Sequence, residues 1–212
     1  MKSLYNFVVA GKNVLLRVDL NVPINNKIVT DKTKLNLIKS TVSHLRANKN
    51  KIFLLSHFGR PKGKYNKSFS IKFLTKILAN TLSVKKIYFV SFCYGEEINQ
   101  QKKIMLPGDI CLLENVRFND GEEKNDSNFS ESLARHFDIY INEAFSVSHR
   151  NHASIVGITR CLPSLAGNNF IKEIENLDKL LDSPVKPKTA IIGGSKVSTK
   201  LKLLNNLIKI FD

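Results

Sequence analysis

The sequence predicts an α/β fold: a Rossmann-like parallel sheet flanked by helices, followed by an incomplete second α/β lobe. Short apolar runs alternate with stretches of helical hydrophobic period, which is the pattern of βαβ units. The runs are apolar at successive positions and rich in Val, Ile, Leu and Phe, as in strands that are buried on both faces. None approaches the ~20 apolar residues of a membrane span, so we expect no membrane contact.

Six apolar runs are the predicted strands, and the periodic stretches are the predicted helices. The strands are Asn13–Val18, Lys51–Leu55, Ile87–Phe92, Ile110–Leu113, Phe137–Ile141 and Thr189–Ile192. The helices are Thr33–Ala47, Ile71–Leu82, Glu96–Lys103, Phe129–Phe137, Ser164–Leu181 and Ser198–Ile210. Their alternation along the chain predicts right-handed crossovers between parallel strands.

The length and one proline-rich break predict how the chain is organised. At ~150 residues per domain, the 212 residues exceed one domain without filling two. The segment Asp182-Ser183-Pro184-Val185-Lys186-Pro187 ends a predicted helix and indicates a linker. We therefore expect a first lobe at 1–163, an interdomain helix and linker at 164–187, and the start of an incomplete second lobe at 188–212.

The net charge is strongly positive, with 33 Lys and Arg against 18 Asp and Glu. A basic balance favours polyanion partners, but the lysines are scattered, without a long block or interleaved aromatics. We interpret them as solvated surface charges and expect no nucleic acid partner. The cysteines Cys93, Cys111 and Cys161 are odd in number and flanked by apolar residues, which indicates buried free thiols and a cytoplasmic location.

Candidate binding residues follow four of the predicted strands. They are Asp19 and Asn21 after the first strand, His57 and Arg60 after the second, Arg117 after the fourth and Arg150 after the fifth. Ligands of open α/β sheets bind at the carboxyl ends of the strands, and arginine forks suit carboxylates and phosphates. The sequence therefore predicts a pocket for a small, multiply charged anion, although a single loop arginine is more often only an exposed charge.

A second candidate site is the segment Gly193-Gly194-Ser195-Lys196, between a predicted strand and a predicted helix. Glycines let a backbone approach a phosphate, and a helix N-terminus favours anions. The segment matches neither the Walker A pattern nor the dinucleotide fingerprint, so a plain tight turn stays the alternative. His149 and His152 have a His-x-x-His spacing, but no cysteine or carboxylate pair completes a ligand set, and we expect no metal site.

Five motifs, in their order and spacing, resemble phosphoglycerate kinase over the whole chain. They are Arg17-Val18-Asp19-Leu20-Asn21-Val22-Pro23, Ser56-His57-Phe58-Gly59-Arg60-Pro61, Leu112-Leu113-Glu114-Asn115-Val116-Arg117-Phe118, His149-Arg150-Asn151-His152-Ala153-Ser154 and Gly193-Gly194-Ser195-Lys196-Val197-Ser198. The resemblance implies an N-terminal lobe that binds 3-phosphoglycerate and a C-terminal lobe that binds Mg-ATP or Mg-ADP. It implies reversible phosphoryl transfer between ATP and the carboxylate of 3-phosphoglycerate, giving 1,3-bisphosphoglycerate, by a cytoplasmic, monomeric enzyme of glycolysis.

The resemblance also implies a role for each candidate residue. The implied substrate-binding residues are Asp19, Asn21, Lys34, His57, Arg60, Arg117 and Arg150, of which His57 and the three arginines form a basic cradle. The implied nucleotide-binding residues are Gly193, Gly194, Lys196 and Lys200, and the implied catalytic residues are Lys34, Lys196 and Lys200. Lys34 stands where the family has an arginine, so the charge is kept but the planar fork is lost. Glu143 stands where the family has an aspartate, and Ser146 where glycine is more common.

Three hypotheses follow from the sequence. The first is a phosphoglycerate kinase by descent whose chain holds the substrate lobe and little of the nucleotide lobe; it predicts substrate binding with weak turnover by this chain alone. The second is a non-catalytic basic module that binds phosphorylated metabolites or polyanions. The third is a remnant without function. Anion binding that falls steeply with salt and ignores the identity of the anion would favour the second hypothesis.

Overall fold

The computed structural model describes residues 2–25 and 28–182, with the isolated positions 186, 187, 189, 191, 205, 207, 208 and 211. Its strands in chain order are β1 Asn13–Arg17, β2 Ile24–Asn25, β3 Ile28–Val29, β4 Lys51–Leu55, β5 Tyr88–Val90, β6 Ile110–Leu113, β7 Ile139–Asn142 and β8 Ser164–Ala166. Six of them form one sheet in the order β5-β6-β4-β1-β7-β8, and every neighbouring pair is parallel. The predicted parallel sheet is confirmed. The short strands β2 and β3 form a separate antiparallel pair.

Successive residues of the central strands pack into two different cores, one on each face of the sheet. On β1, Val14 and Leu16 belong to one apolar cluster and Leu15 belongs to the other. On β4, Leu54 belongs to the first of these clusters and Phe53 belongs to the second. All five side chains are fully buried. This two-sided burial explains why these strands are apolar at every position rather than at alternate ones.

Helices flank the sheet. They are α1 Thr33–Leu37, α2 Lys39–Ala47, α3 Leu74–Thr81, α4 Glu96–Ile104, α5 Asp120–Lys124, α6 Ser127–Ala134, α7 Ile158–Cys161 and α8 Asn168–Asp182. Short 3-10 turns at Lys67–Phe69, Val116–Phe118 and Phe145–Val147, and a π-helix at Ala153–Gly157, complete the loops. The predicted helix Thr33–Ala47 is interrupted at Ile38, which is the C-cap of α1 and the N-cap of α2. Among the described residues, no helix is both long and apolar enough to cross a membrane.

The start of the predicted helix Ser164–Leu181 is wrong. Ser164–Ala166 form β8, which pairs in parallel with β7, and Gly167 separates this strand from α8. Three residues are too few to show a strand period, and the apolar positions of α8 extend a helical pattern backwards over them. A Cβ at Gly167 would lie 1.7 Å from Glu143 Oε2, so a larger residue would displace this buried carboxylate where the chain turns from β8 into α8.

The cysteine prediction is partly wrong. Cys93 and Cys111 are buried, as expected, but Cys161 is exposed because it is the last residue of the surface helix α7. The chain divides into two compact units, Met1–Ile171 and Lys172–Asp212. The predicted strand Thr189–Ile192 and helix Ser198–Ile210 lie largely outside the described residues.

Candidate functional site

The candidate site lies at the carboxyl edge of the sheet, around the end of β1. The chain leaves β1 toward β4 on one side and later adds β7 on its other side, so the strand order reverses at β1. Open α/β sheets bind ligands outside the carboxyl ends of their strands at such a point. Asp19 and His57 follow the ends of β1 and β4 there.

His57 lies buried among cations just beyond β4, with 4% of its surface exposed. Arg17 Nη2 is 3.2 Å from His57 Nδ1. Burial, followed by the charges of Arg17 and Arg117, lowers the pKa of His57 to about 2; Arg150 lowers it further and Asp19 opposes the change. His57 is therefore a neutral imidazole among charged neighbours, whereas the sequence predicts a basic member of the cradle.

The loop after β4 is held in place by the segment after β6. Asn115 Nδ2 donates to Phe58 O at 2.7 Å, and Asn115 Oδ1 accepts from Phe58 N at 3.1 Å. Gly59 has a φ of +59°, and a Cβ there would lie 2.4 Å from the ring of Phe69. Glycine alone accommodates this conformation and this close approach. These contacts fix the position of His57 relative to the segment that carries Arg117.

Arg117 is 4% exposed and spans the gap between the two loops. Its Nη1 donates to Gly59 O at 2.8 Å. Its Nε lies 3.3 Å from Glu123 Oε1, an ion-pair distance without hydrogen-bond geometry. In the part of the chain that the structure describes, Arg117 Nη2 has no hydrogen-bond partner. The guanidinium is thus held at one end and retains donors for an anion.

Asp19 accepts contacts from three sides. Lys34 Nζ lies 2.8 Å from Asp19 Oδ2, and Ser146 Oγ donates to the same oxygen at 2.7 Å. The backbone N–H of Asn21 donates to Asp19 Oδ1 at 3.0 Å. Burial alone would raise the pKa of Asp19, but the bonds from Lys34, Ser146 and Asn21 outweigh it and lower the pKa. Lys34 also donates to Asn21 O at 3.1 Å, so this candidate catalytic cation is engaged at the rim of the site.

The other candidate residues differ in how far they join this group. Asn21 Oδ1 accepts from Gly59 N at 3.1 Å, which ties the end of β1 to the loop after β4. Arg150 is half-buried, and its buried Nε has no hydrogen-bond partner among residues 2–25 and 28–182. Arg60 is exposed and is not brought into contact with the others within the described ranges. The candidates Gly193, Gly194, Lys196 and Lys200 lie outside the described residues.

A buried polar network lies behind His57. Arg17 is 1% exposed, and its Nε donates to Ser154 Oγ at 3.1 Å. Ser154 Oγ and Ser154 N donate to the two carboxylate oxygens of Glu122 at 2.7 and 2.9 Å. The Tyr140 hydroxyl donates to Ser154 O at 2.8 Å. Burial alone would raise the pKa of Glu122, but the neighbouring His152, Arg17 and Ser154 hold it below its ordinary value. The buried Arg17 cation therefore faces the buried Glu122 anion.

Glu143 fastens the end of β7 to α2 and to the start of α8. Its Oε1 accepts from Thr41 Oγ1 at 2.7 Å and from Asn169 N at 3.0 Å. The Glu143 side chain thus has a structural role next to the site. Within the described part of the chain, no three His, Cys, Asp or Glu side chains are grouped to hold a metal ion.

Comparison with known proteins decides the family. The sequence profile described as "Phosphoglycerate kinase" matches residues 4–212. The chain belongs to this family. The phosphoglycerate kinase of Chelativorans sp. (strain BNC1) is 47% identical over 204 residues, which are 96% of this chain and 51% of the relative. That of Bartonella quintana (strain Toulouse) is 44% identical over 211 residues, which are 100% of this chain and 53% of the relative. The chain spans about half the length of the curated relatives it matches.

Solved structures agree with this assignment. The phosphoglycerate kinase of Coxiella burnetii superposes with a TM-score of 0.84 at 35% identity, over 99% of this chain and 52% of that one. The phosphoglycerate kinase of Pyrococcus horikoshii OT3 superposes with a TM-score of 0.88 at 28% identity, over 99% of this chain and 53% of that one. The resemblance that the sequence motifs indicate is confirmed at the level of family and fold.

Three supporting residues have no role predicted from the sequence, although Arg17 and Ser154 stand in two of the motifs that carry the resemblance. Arg17 stands inside the apolar run Asn13–Val18, and an arginine within a buried strand is a signal that could have revealed it. Glu122 lies in the charged stretch Asp120-Gly121-Glu122-Glu123-Lys124 and resembles a surface residue, so its burial has no signal in the sequence. Ser154 is one of many serines, and only the fold places it between Arg17 and Glu122.

Proposed function

We propose that this chain binds 3-phosphoglycerate at the carboxyl edge of its sheet, as the substrate-binding part of a phosphoglycerate kinase. The observation that carries the proposal is the convergence of the buried Arg117 and His57 with Arg150 beside Asp19. A ligand with a phosphate at one end and a carboxylate at the other offers acceptors to several such donors. Guanidinium groups recognise both ends well because they donate paired, charge-assisted hydrogen bonds.

The proposed chemistry is reversible phosphoryl transfer between ATP and the carboxylate of 3-phosphoglycerate, with 1,3-bisphosphoglycerate as the product. Phosphoryl transfer depends mainly on positioning and on neutralising charge. Asp19 and Asn21 would hold the glycerate, and Arg60, Arg117 and Arg150 would surround its charged ends. Lys34 would offer its ammonium group to the carboxylate that receives the phosphoryl group, as a point charge.

The nucleotide is part of the same proposal. Gly193, Gly194, Lys196 and Lys200 would meet the phosphates of Mg-ATP or Mg-ADP, as substrate, through backbone amides and ammonium groups. The 212 residues span about half the length of the curated relatives. We therefore expect this chain alone to bind 3-phosphoglycerate and to turn over poorly, as a cytoplasmic monomer.

Calorimetric titration with 3-phosphoglycerate tests the binding. We expect saturable binding to the wild type that persists from low to moderate salt. Arg117→Ala should weaken it at least about tenfold, because a hydrogen bond to a charged group contributes ~1.5–3 kcal/mol. Arg46→Ala is the matched control, since Arg46 lies at the opposite edge of the sheet and donates to Gly108 O. It should change the affinity less than about twofold.

The same titration separates the alternatives. Binding that falls steeply with salt and is equal for 3-phosphoglycerate, its isomer 2-phosphoglycerate and inorganic phosphate would favour the polyanion-binding module. No binding at either salt concentration would favour a remnant without a working site. A coupled assay with Mg-ATP then tests turnover, and a robust rate from the 212-residue chain would contradict the expectation of poor turnover.

A further inference from the structure

The contact between Arg17 and His57 determines which nitrogen of the imidazole carries the proton. Arg17 Nη2 lies 3.2 Å from His57 Nδ1. A guanidinium group has five donors and no acceptor. His57 Nδ1 must therefore be the acceptor, with its lone pair directed at Arg17. A neutral imidazole with a lone pair on Nδ1 carries its single proton on Nε2.

Arg17 is in turn fixed by every part of its guanidinium group. Nε donates to Ser154 Oγ, Nη1 donates to Val18 O, and Nη2 faces His57. Ser154 is held by both oxygens of Glu122. All of these side chains are buried. The guanidinium is held facing His57, because turning away would leave its buried donors without hydrogen-bond partners.

We propose that Arg17 is a positioning residue, which fixes His57 as the neutral Nε2–H tautomer so that His57 meets the substrate anion as a directed hydrogen-bond donor rather than as a cation. The substrate is that of the proposed function, on which this step rests. The tautomer itself is a property of the protein without ligand.

The other charged groups around His57 act in the same direction, with one exception. Arg117 and Arg150 disfavour an imidazolium by like-charge repulsion, whereas Asp19 is the one group among the described residues around His57 that favours it. Protonation of Nδ1 would also place an imidazolium N–H against an arginine N–H. Together with burial, these effects keep the pKa of His57 far below its ordinary value, so no charge change is expected between pH 5.5 and 8.

A neutral donor has an advantage in this position. Three guanidinium groups already supply the positive charge, and a further buried cation would cost several kcal/mol of desolvation. A fixed Nε2–H adds a hydrogen-bond donor of defined direction without adding a charge. It also makes the His57 contribution to anion binding independent of pH across the physiological range, because no proton is gained or lost there.

Nitrogen NMR of the ligand-free chain with ¹⁵N-labelled histidine tests the proposal directly. Long-range ¹H–¹⁵N correlation spectra distinguish the Nε2–H tautomer, the Nδ1–H tautomer and the imidazolium by their cross-peak patterns. His57→Gln identifies which of the five histidine signals belongs to His57. We expect the Nε2–H pattern for His57 at all pH values from 5.5 to 8. An Nδ1–H pattern, an imidazolium at pH 7 or a rapidly exchanging mixture would overturn the proposal.

A double variant tests whether Arg17 is the cause. Arg17→Met together with Glu122→Gln removes both buried charges, so that neither is left uncompensated. We expect a mixture of the two neutral tautomers of His57 in the double variant, while Arg46→Met, the matched control, leaves the wild-type pattern. An unchanged pattern in the double variant would overturn the role of Arg17. If the double variant does not fold, the wild-type spectrum still decides the tautomer.

These outcomes are independent of substrate binding. A wild-type Nε2–H tautomer without 3-phosphoglycerate binding would contradict the proposed function and leave the assignment of the tautomer standing. Binding of 3-phosphoglycerate by a chain whose His57 has a different protonation state would support the proposed function and contradict the assignment of the tautomer.

Discussion

The two edges of the sheet both carry basic residues, but they hold them in different ways. At the amino edge, Arg46 Nε donates to Gly108 O at 3.0 Å and Lys51 Nζ donates to Lys102 O at 2.7 Å. These cations use backbone carbonyls as partners and stay partly exposed. At the carboxyl edge, Arg17 and Arg117 are almost completely buried, and Arg17 faces the buried carboxylate of Glu122 through Ser154.

A cavity of about 460 Å³ opens at the amino edge, where its lining includes Arg46, Lys85 and Lys86. No charged side chain of that lining is buried. Burying a charge is costly and persists only where partners compensate for it. Burial therefore distinguishes Arg17 and Arg117 at the carboxyl edge from the basic residues that line this cavity.

The largest effect on stability is predicted for a substitution in the buried polar network behind the carboxyl edge. Glu122→Gln removes the anion that compensates Arg17 and should lower the free energy of unfolding by about 3–5 kcal/mol, because it leaves an uncompensated buried charge. Urea unfolding curves followed by circular dichroism measure this change. Glu131→Gln, on the exposed face of α6, is the control and should cost less than about 0.5 kcal/mol. Equal midpoints for the two variants would mean that the buried pair does not stabilise this edge.

A smaller effect concerns the rim of the site. Lys34→Arg restores a planar fork where the side chain now contacts Asp19 and Asn21 O. We expect about fivefold tighter binding of 3-phosphoglycerate, since a second charge-assisted bond adds about 1 kcal/mol. Calorimetry measures the affinity, and the exposed neighbour Lys32→Arg serves as the control. Weaker binding by Lys34→Arg would show that the rim is adapted to lysine.

The smallest predicted effect is the pH dependence that Asp19 contributes. Its pKa is lower in the folded chain than in the unfolded chain. The Asp19 contribution to stability is therefore complete above its ordinary pKa of about 4, and it is lost as the pH falls through the lower pKa of the folded chain. Asp19→Asn should therefore lose less free energy of unfolding than the wild type when the pH falls below about 4. The difference should be less than about 1 kcal/mol, because the contacts of Asp19 are partly exposed. Urea midpoints at pH 3 and pH 7 measure the difference, with Asp178→Asn as the control. An identical acid loss in the two variants would contradict it.

The sequence predicts the interior of the sheet well and its margins poorly. Strands β4 and β6 were predicted with their bounds, because burial on both faces demands uninterrupted apolar runs. The edge strand β8 was missed, because three residues at a sheet margin carry no such pattern. In the same way, the location of Arg117 and Arg150 at the carboxyl edge could be predicted from their places after strands, and their role in binding stays a prediction. Glu122 could not, because its burial results from packing between α5 and the segment that carries Ser154.

Mapping of amide chemical shifts during a titration with 3-phosphoglycerate tests most directly which edge of the sheet binds the anion. We predict saturable shifts of the amides of Asn21, Gly59 and Arg117, and no shift of Gly108 at the amino edge. Saturable shifts that cluster at Gly108 and Arg46, or the absence of any saturable shift, would contradict the account.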